Sequence, residues 1–152
     1  MNDDFLCFMQ VALEQAKLAS DKNEVPIGAI VVLDNTIIGI GHNSPISTNC
    51  PTSHAEVLAL NDAAKNVQNY RLIGADIYTT LEPCLMCFGA MVHARIRRCI
   101  YAAKDPKSGV VANNIVLEKM PMLNHKVDFI QGPCAAESSS LLQSFFQSKR
   151  KK

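Results

Sequence analysis

Cys84 and Cys87 stand three residues apart, directly after Pro83. Proline suits the first position of a helix, so "PCLMCFGAMVHAR" (83–95) reads as one. Residues three apart on a helix share a face, and the positive end of a helix favours thiolate. Two thiolates on one face are half of a tetrahedral zinc site. A redox dithiol has the same C-x-x-C form, but "CLMC" lacks the Gly-Pro interior of a thioredoxin-like pair. Plain core packing is the third reading. His54 offers a third ligand from a second helix start, in "PTSHAEVLAL" (51–60). Three protein ligands leave a fourth position for water, as catalytic zinc sites do and structural sites do not. Zinc lowers the pKa of such a water to near 7.

Glu56 lies two residues beyond His54. That spacing makes it a poor co-ligand, but a glutamate beside the open position can carry a proton from water to substrate. A blander reading competes. Ser53 and Glu56 have the spacing of a capping box, with Ser53 as N-cap and His54 as the first helical residue. In that case Glu56 only closes a helix start.

Those residues need a scaffold that brings two helix starts together. Phe5, Phe8, Met9, Ala12, Leu13 and Ala16 recur at helical spacing, so 3–19 is expected to be an amphipathic helix. Residues 26–41 read as a hairpin about the Asp34-Asn35 turn. A polar loop with two prolines covers 42–52, and a helix runs from Ser53 to Asn66. "ADIYTTL" (75–81), "RCIYAA" (98–103) and "KVDFI" (126–130) read as strands, with "KDPKSG" (104–109) a loop. A last helix starts at Pro133, its apolar face including Leu141, Leu142, Phe145 and Phe146. Strands alternating with helices imply crossovers and a layered α/β domain. In such sheets, helix starts gather at one edge, where ligands bind. His54, Cys84 and Cys87 are therefore expected to converge.

The 152 residues suit a single domain spanning 1–152, and 48% hydrophobic with 19% charged residues is a globular composition. "VPIGAIVVL" (25–33) is too short to cross a membrane, and the N-terminal "MNDDFLCFMQ" has no basic cluster of a secretory signal. Six cysteines without an export signal read as reduced cytosolic thiols, which points to the cytoplasm. Net charge is +1, yet Lys149, Arg150, Lys151 and Lys152 are four of the 15 basic residues. The remaining 11 face 14 acids, a balance of −3. The 149–152 end is expected to be a flexible basic tail, either merely solvated or an arm touching phosphate.

His-x-Glu followed by Pro-Cys-x-x-Cys is the signature of zinc-dependent base deaminases. "EVPIGAIVV" (24–32), "GHNSPI" (41–46), "PTSHAE" (51–56), "QNYRL" (68–72), "TLEPCLMCFGAMVHARI" (80–96), "AAKDPKSG" (102–109) and "LNHKV" (123–127) extend the match along nearly the whole chain. On these residues the chain resembles the bacterial tRNA-specific adenosine deaminases, the TadA family of the cytidine/deoxycytidylate deaminase superfamily. Pyrimidine and guanine deaminases share the zinc motif but less of its flanks.

The resemblance implies a three-layer α/β/α sandwich on a five-stranded mixed sheet, and usually a homodimer. It implies hydrolysis of adenosine to inosine at wobble position 34 in a tRNA anticodon loop. Carried over, His54, Cys84 and Cys87 hold one Zn2+ per subunit, and Glu56 is the proton shuttle. Asn43 corresponds to an amide that orients the base, Ile27 and Leu81 to pocket walls, and Asp105 to a loop acid near the RNA. Asp105 also suits a plain turn before Pro106. Cys50 departs from the family, where many members have Asp before the Pro-Thr pair. As a fourth ligand it would close the site, and a change in loop conformation is the favoured reading. Cys7, Cys99 and Cys134 are expected to pack inside. Two rivals stand beside this reading. One is a deaminase of a free nucleobase, guanine or cytosine, with the same zinc site; the other is a non-catalytic zinc protein that binds RNA or a partner.

Overall fold

The computed structural model describes residues 3–113 and 120–150. Its elements are α1 (Asp3–Asp21), β1 (Gly28–Leu33), β2 (Thr36–His42), α2 (Pro45–Thr48), α3 (Ala55–Val67), β3 (Asp76–Leu81), α4 (Leu85–Ala94), β4 (Arg98–Ala103), β5 (Asp128–Gln131) and α5 (Ala135–Arg150). The sheet order is β2-β1-β3-β4-β5. β1 is antiparallel to β2 and β3, whereas β3, β4 and β5 run parallel. This is the expected five-stranded mixed sheet.

Each face of the sheet buries its own core. Ile30, Val32, Tyr78, Ile100 and Ala102 point to one side, where α1 covers them with Met9 and Ala12. Ala29, Val31, Ile77 and Cys99 point to the other, against Ala59 and Ala63 of α3 and Phe88 and Met91 of α4. The period of two along the strands sends alternate residues to opposite layers. The α/β/α sandwich follows directly from these apolar patterns. α5 joins the α1 side; its one buried residue, Ser138, donates from Oγ to the Thr80 carbonyl at 2.6 Å.

Asp34 and Asn35 turn the hairpin with φ of 49° and 63°, the double left-handed geometry that matches strand twist. Several helix starts lie later than their signals suggest. α3 begins at Ala55 rather than Ser53, α4 at Leu85 rather than Pro83, and α5 at Ala135 rather than Pro133. Short α2 falls inside the stretch expected to be loop. Glu24 supports it from outside: one carboxylate oxygen accepts from Ile46 N at 3.2 Å, the other from Ser47 N at 2.6 Å. Burial raises the Glu24 carboxyl pKa, but these hydrogen bonds outweigh burial and hold it below the usual range.

One further expectation is corrected. Cys7 is exposed, because it lies on the outer side of α1, while Cys99 is buried and Cys134 half-buried. Of the basic 149–152 end, Lys149 and Arg150 close α5. Lys149 Nζ donates to Asn23 Oδ1 at 3.4 Å and lies over the Phe145 ring. Lys151 and Lys152 lie outside the described residues.

α3 sits unusually close to β2, and glycine permits it. A Cβ at Gly41 would lie 2.4 Å from the Ala55 carbonyl oxygen and 2.6 Å from Ala59 N. Both are backbone atoms and cannot rotate away. Gly41→Ala is expected to destabilise the protein by about 1–3 kcal/mol, read as a fall in the denaturant midpoint with an unchanged slope.

Candidate active site

The sheet brings the predicted residues to one edge. Gly28 pairs with His42 across β1 and β2, and Gly28 N donates to Thr80 Oγ1 at 3.1 Å. Leu81 pairs with Ala103. Ile27, Asn43, Leu81 and Asp105 therefore lie at or just beyond strand ends that lie side by side. Asn43 N donates to the Ile27 carbonyl and Ser44 N to the Ser53 carbonyl, each at 3.0 Å, which ties this edge to the start of α3.

His54 and Cys84 are the N-cap residues of α3 and α4. Cys84 therefore precedes its helix instead of sharing a helical face with Cys87. Extended backbone at the cap still turns its sulfur toward the first turn, where Cys87 is. His54 Nδ1 lies 3.7 Å from Cys84 Sγ and 3.5 Å from Cys87 Sγ. Tetrahedral zinc, with Zn–S of about 2.3 Å and Zn–N of about 2.0–2.1 Å, separates such nitrogen and sulfur ligands by about 3.6 Å. The geometry fits the ion. Among the described residues these three form the one group of His, Cys, Asp or Glu ligand atoms all within 4.8 Å of one another. Cys50 is not in it; its Sγ contacts Thr52 Oγ1 at 3.4 Å.

The thiols are poised for a cation. A hydrogen bond from Cys87 holds the Cys84 thiol down to about 5, against the effect of burial. The same hydrogen bond and burial push Cys87 up. Cys84 is thus the readier thiolate of the two, the form that binds a metal ion.

Glu56 is buried beside the cluster. Burial raises its carboxyl to about 7; its own backbone N–H opposes this, the Cys84 thiolate adds to it, and His54 and Cys87 oppose it. The capping box is absent. Ser53 N donates to the Cys50 carbonyl at 3.1 Å, so it is not held by Glu56, and the N-cap is His54. Ser53 Oγ accepts from Thr48 Oγ1 at 3.4 Å.

Asn43 is buried, and its Oδ1 has no hydrogen-bond partner within the chain. Such an atom is costly unless a ligand or water satisfies it. Ile27 and Leu81 are half-buried. Asp105 Oδ1 accepts from Lys107 N and Ser108 N, both at 3.1 Å. It shapes its own loop, as a turn residue before proline would.

Sequence reasoning assigned no role to Glu82, which organises that loop. This buried carboxylate accepts from Asp105 N at 3.2 Å on one oxygen, and from Val111 N and Ala112 N at 2.7 Å on the other. Its one sequence signal is an acid between an apolar strand and Pro83, with no cation nearby in the chain. Glu82→Gln turns an amide NH2 against at least one of these donors. It is expected to cost about 1.5–3 kcal/mol and to speed limited proteolysis within 104–112.

Comparison with known proteins agrees with this geometry. Residues 2–150 match the family model described as MafB19-like deaminase. The tRNA-specific adenosine deaminase of Haemophilus influenzae is 43% identical over 93% of this chain and 83% of its own. That of Agrobacterium fabrum is 42% identical over 94% of each. A solved structure from studies of A-to-I editing by tRNA:A34 deaminases superposes with a TM-score of 0.86 at 41% identity, covering 90% of this chain and 99% of that one. The chain belongs to the MafB19-like deaminase family and, with these relatives, to the family of tRNA-specific adenosine deaminases.

Proposed function

We propose that this chain hydrolyses adenosine to inosine at position 34 of a tRNA anticodon, releasing ammonia. The observation that carries the reading is the His54–Cys84–Cys87 cluster with Glu56 enclosed against it. One zinc ion per subunit, held by His54 Nδ1 and the two Sγ atoms, would supply a water acidic enough to attack carbon at neutral pH. Glu56 takes a proton on its carboxylate, delivers it to purine N1, and later protonates the departing amino group. Its burial suits that traffic, because a carboxyl titrating near neutrality both accepts and returns a proton. Asn43 Oδ1 accepts from the base and fixes its orientation, with Ile27 and Leu81 as walls. Asp105 shapes the loop beside the entering RNA strand.

An unpaired anticodon loop offers its base at low unstacking cost. Exposed Ile46 on α2 and exposed Leu85 and Met86 at the start of α4 are apolar surface on elements of the site, which supports a homodimer. Free cysteines throughout the described chain suit the cytoplasm, and no described helix is long and apolar enough to cross a membrane. We read 1–152 as one deaminase domain.

The deciding experiment incubates zinc-loaded protein with an A34 anticodon stem-loop, with free guanine, and with free cytosine. Inosine from the stem-loop and no product from the free bases is the expected result. Turnover of a free base without inosine would replace this reading with the nucleobase deaminase.

A further inference from the structure

The opposite edge of the sheet carries a second feature that the active site does not use. A cleft of about 400 Å³ opens where the chain enters β3, β4 and β5. Arg71 lines it from before β3, Arg95 and Arg97 from before β4, and His125 and Lys126 from before β5; Asp128 is its one acid. Four of the 15 basic residues of a nearly neutral chain thus converge on one concavity.

All three guanidinium groups of the cleft are already oriented from within. Arg71 Nε donates to Tyr70 Oη at 3.0 Å and stacks on that exposed ring. One terminal nitrogen of Arg95 donates to the Val92 carbonyl at 2.7 Å. Arg97 binds Asp76 through Nε and one terminal nitrogen, at 3.0 and 2.8 Å. Each fork keeps further N–H groups beyond those these bonds use. A pre-oriented guanidinium loses little entropy when it grips a phosphate. His125 is fixed by a 2.7 Å contact from Nε2 to the Ile96 carbonyl.

Position sets which phosphate. The zinc cluster follows the C-terminal end of β3, whereas the cleft lies at the N-terminal ends of β3 to β5. A six-residue strand separates those edges by roughly 20 Å. A base in the active site cannot bring its own phosphate there. The geometry points to a second RNA contact: the cleft holds backbone phosphates of the tRNA outside the anticodon loop, with the Tyr70–Arg71 stack as a platform beside it. This rests on the tRNA reading above and extends it from the target base to the body of the substrate.

The experiment measures direct binding rather than turnover, using full-length tRNA and a short linear RNA spanning the anticodon loop alone. The probe variant is Arg71→Gln with Lys126→Gln, two exposed positions far from the zinc ligands. Full-length tRNA should bind roughly fivefold to tenfold more weakly at low salt, and the slope of log K against log salt should shrink by roughly 2. The short RNA should change less than about twofold. Asp128→Asn removes the acid and releases Lys126 from its 3.8 Å ion pair; it should tighten full-length tRNA, so the inference does not hang on a variant that folds poorly. Unchanged tRNA binding in both variants overturns the inference. So does an equal loss for both RNAs, which would mark a general field. If wild type binds tRNA through the cleft but makes no inosine, the deaminase reading falls and the cleft stands.

Discussion

Glu56→Gln is expected to lower the rate of inosine formation by about 10²–10⁴-fold while zinc content and fold persist. Glu56 is enclosed at the first turn of α3 and meets Cys87 rather than solvent. Glutamine keeps the volume and one acceptor oxygen, so the pocket retains its shape. It cannot carry a proton between water, N1 and the leaving amine. The loss corresponds to roughly 3–5 kcal/mol of transition-state stabilisation. Stability should not fall with it. The carboxylate suffers desolvation, its first cause of perturbation, and a neutral amide is spared that cost. Single-turnover inosine formation, metal analysis and thermal melting, run on one preparation, separate the contributions. A variant within threefold of wild type in rate would return Glu56 to a structural role.

The sequence spelled the site more clearly than its local geometry. His54, Cys84 and Cys87 are named by type and spacing, and strand–helix alternation brings their helix starts together. What misled was the cap. Ser53 and Glu56 have capping-box spacing, yet Ser53 N goes to the Cys50 carbonyl and the cap position passes to His54. Propensity scores local options, and the metal cluster needs His54 and Cys84 on extended backbone just outside each helix. α2 was illegible for a related reason. Its support comes from Glu24, more than twenty positions away, and four residues carry no periodicity to read. The C-caps Gln68 and Arg95 adopt left-handed φ of 59° and 64° without the glycine that usually signals them. Glu82 stayed hidden because its partners are backbone N–H groups of a loop, which leave no trace in residue types.

Removing zinc with a chelator is expected to lower the melting temperature by roughly 8–16 °C. A zinc ion held by these residues would fasten two helix starts that lie 30 residues apart in the chain, His54 before α3 and Cys84 before α4. Binding to the folded state alone stabilises by about 4 kcal/mol at a thousandfold excess over Kd, and each kcal/mol moves the midpoint by roughly 2–4 °C at this size. The stripped site also brings the thiolate of Cys84 close to Glu56, whose charged form that thiolate disfavours, so little in the chain itself replaces the ion. Cys87→Ser isolates the effect. A hydroxyl at that position is a poor zinc ligand but nearly conserves volume, so the variant should melt close to the stripped wild type, show no response to added zinc, and make no inosine. A variant that binds zinc at full stoichiometry and melts with the loaded protein would mean that Cys87 only packs α4 and is not a ligand of the ion. The large shift, the missing zinc response and the lost activity must appear together, because one ion would account for all three.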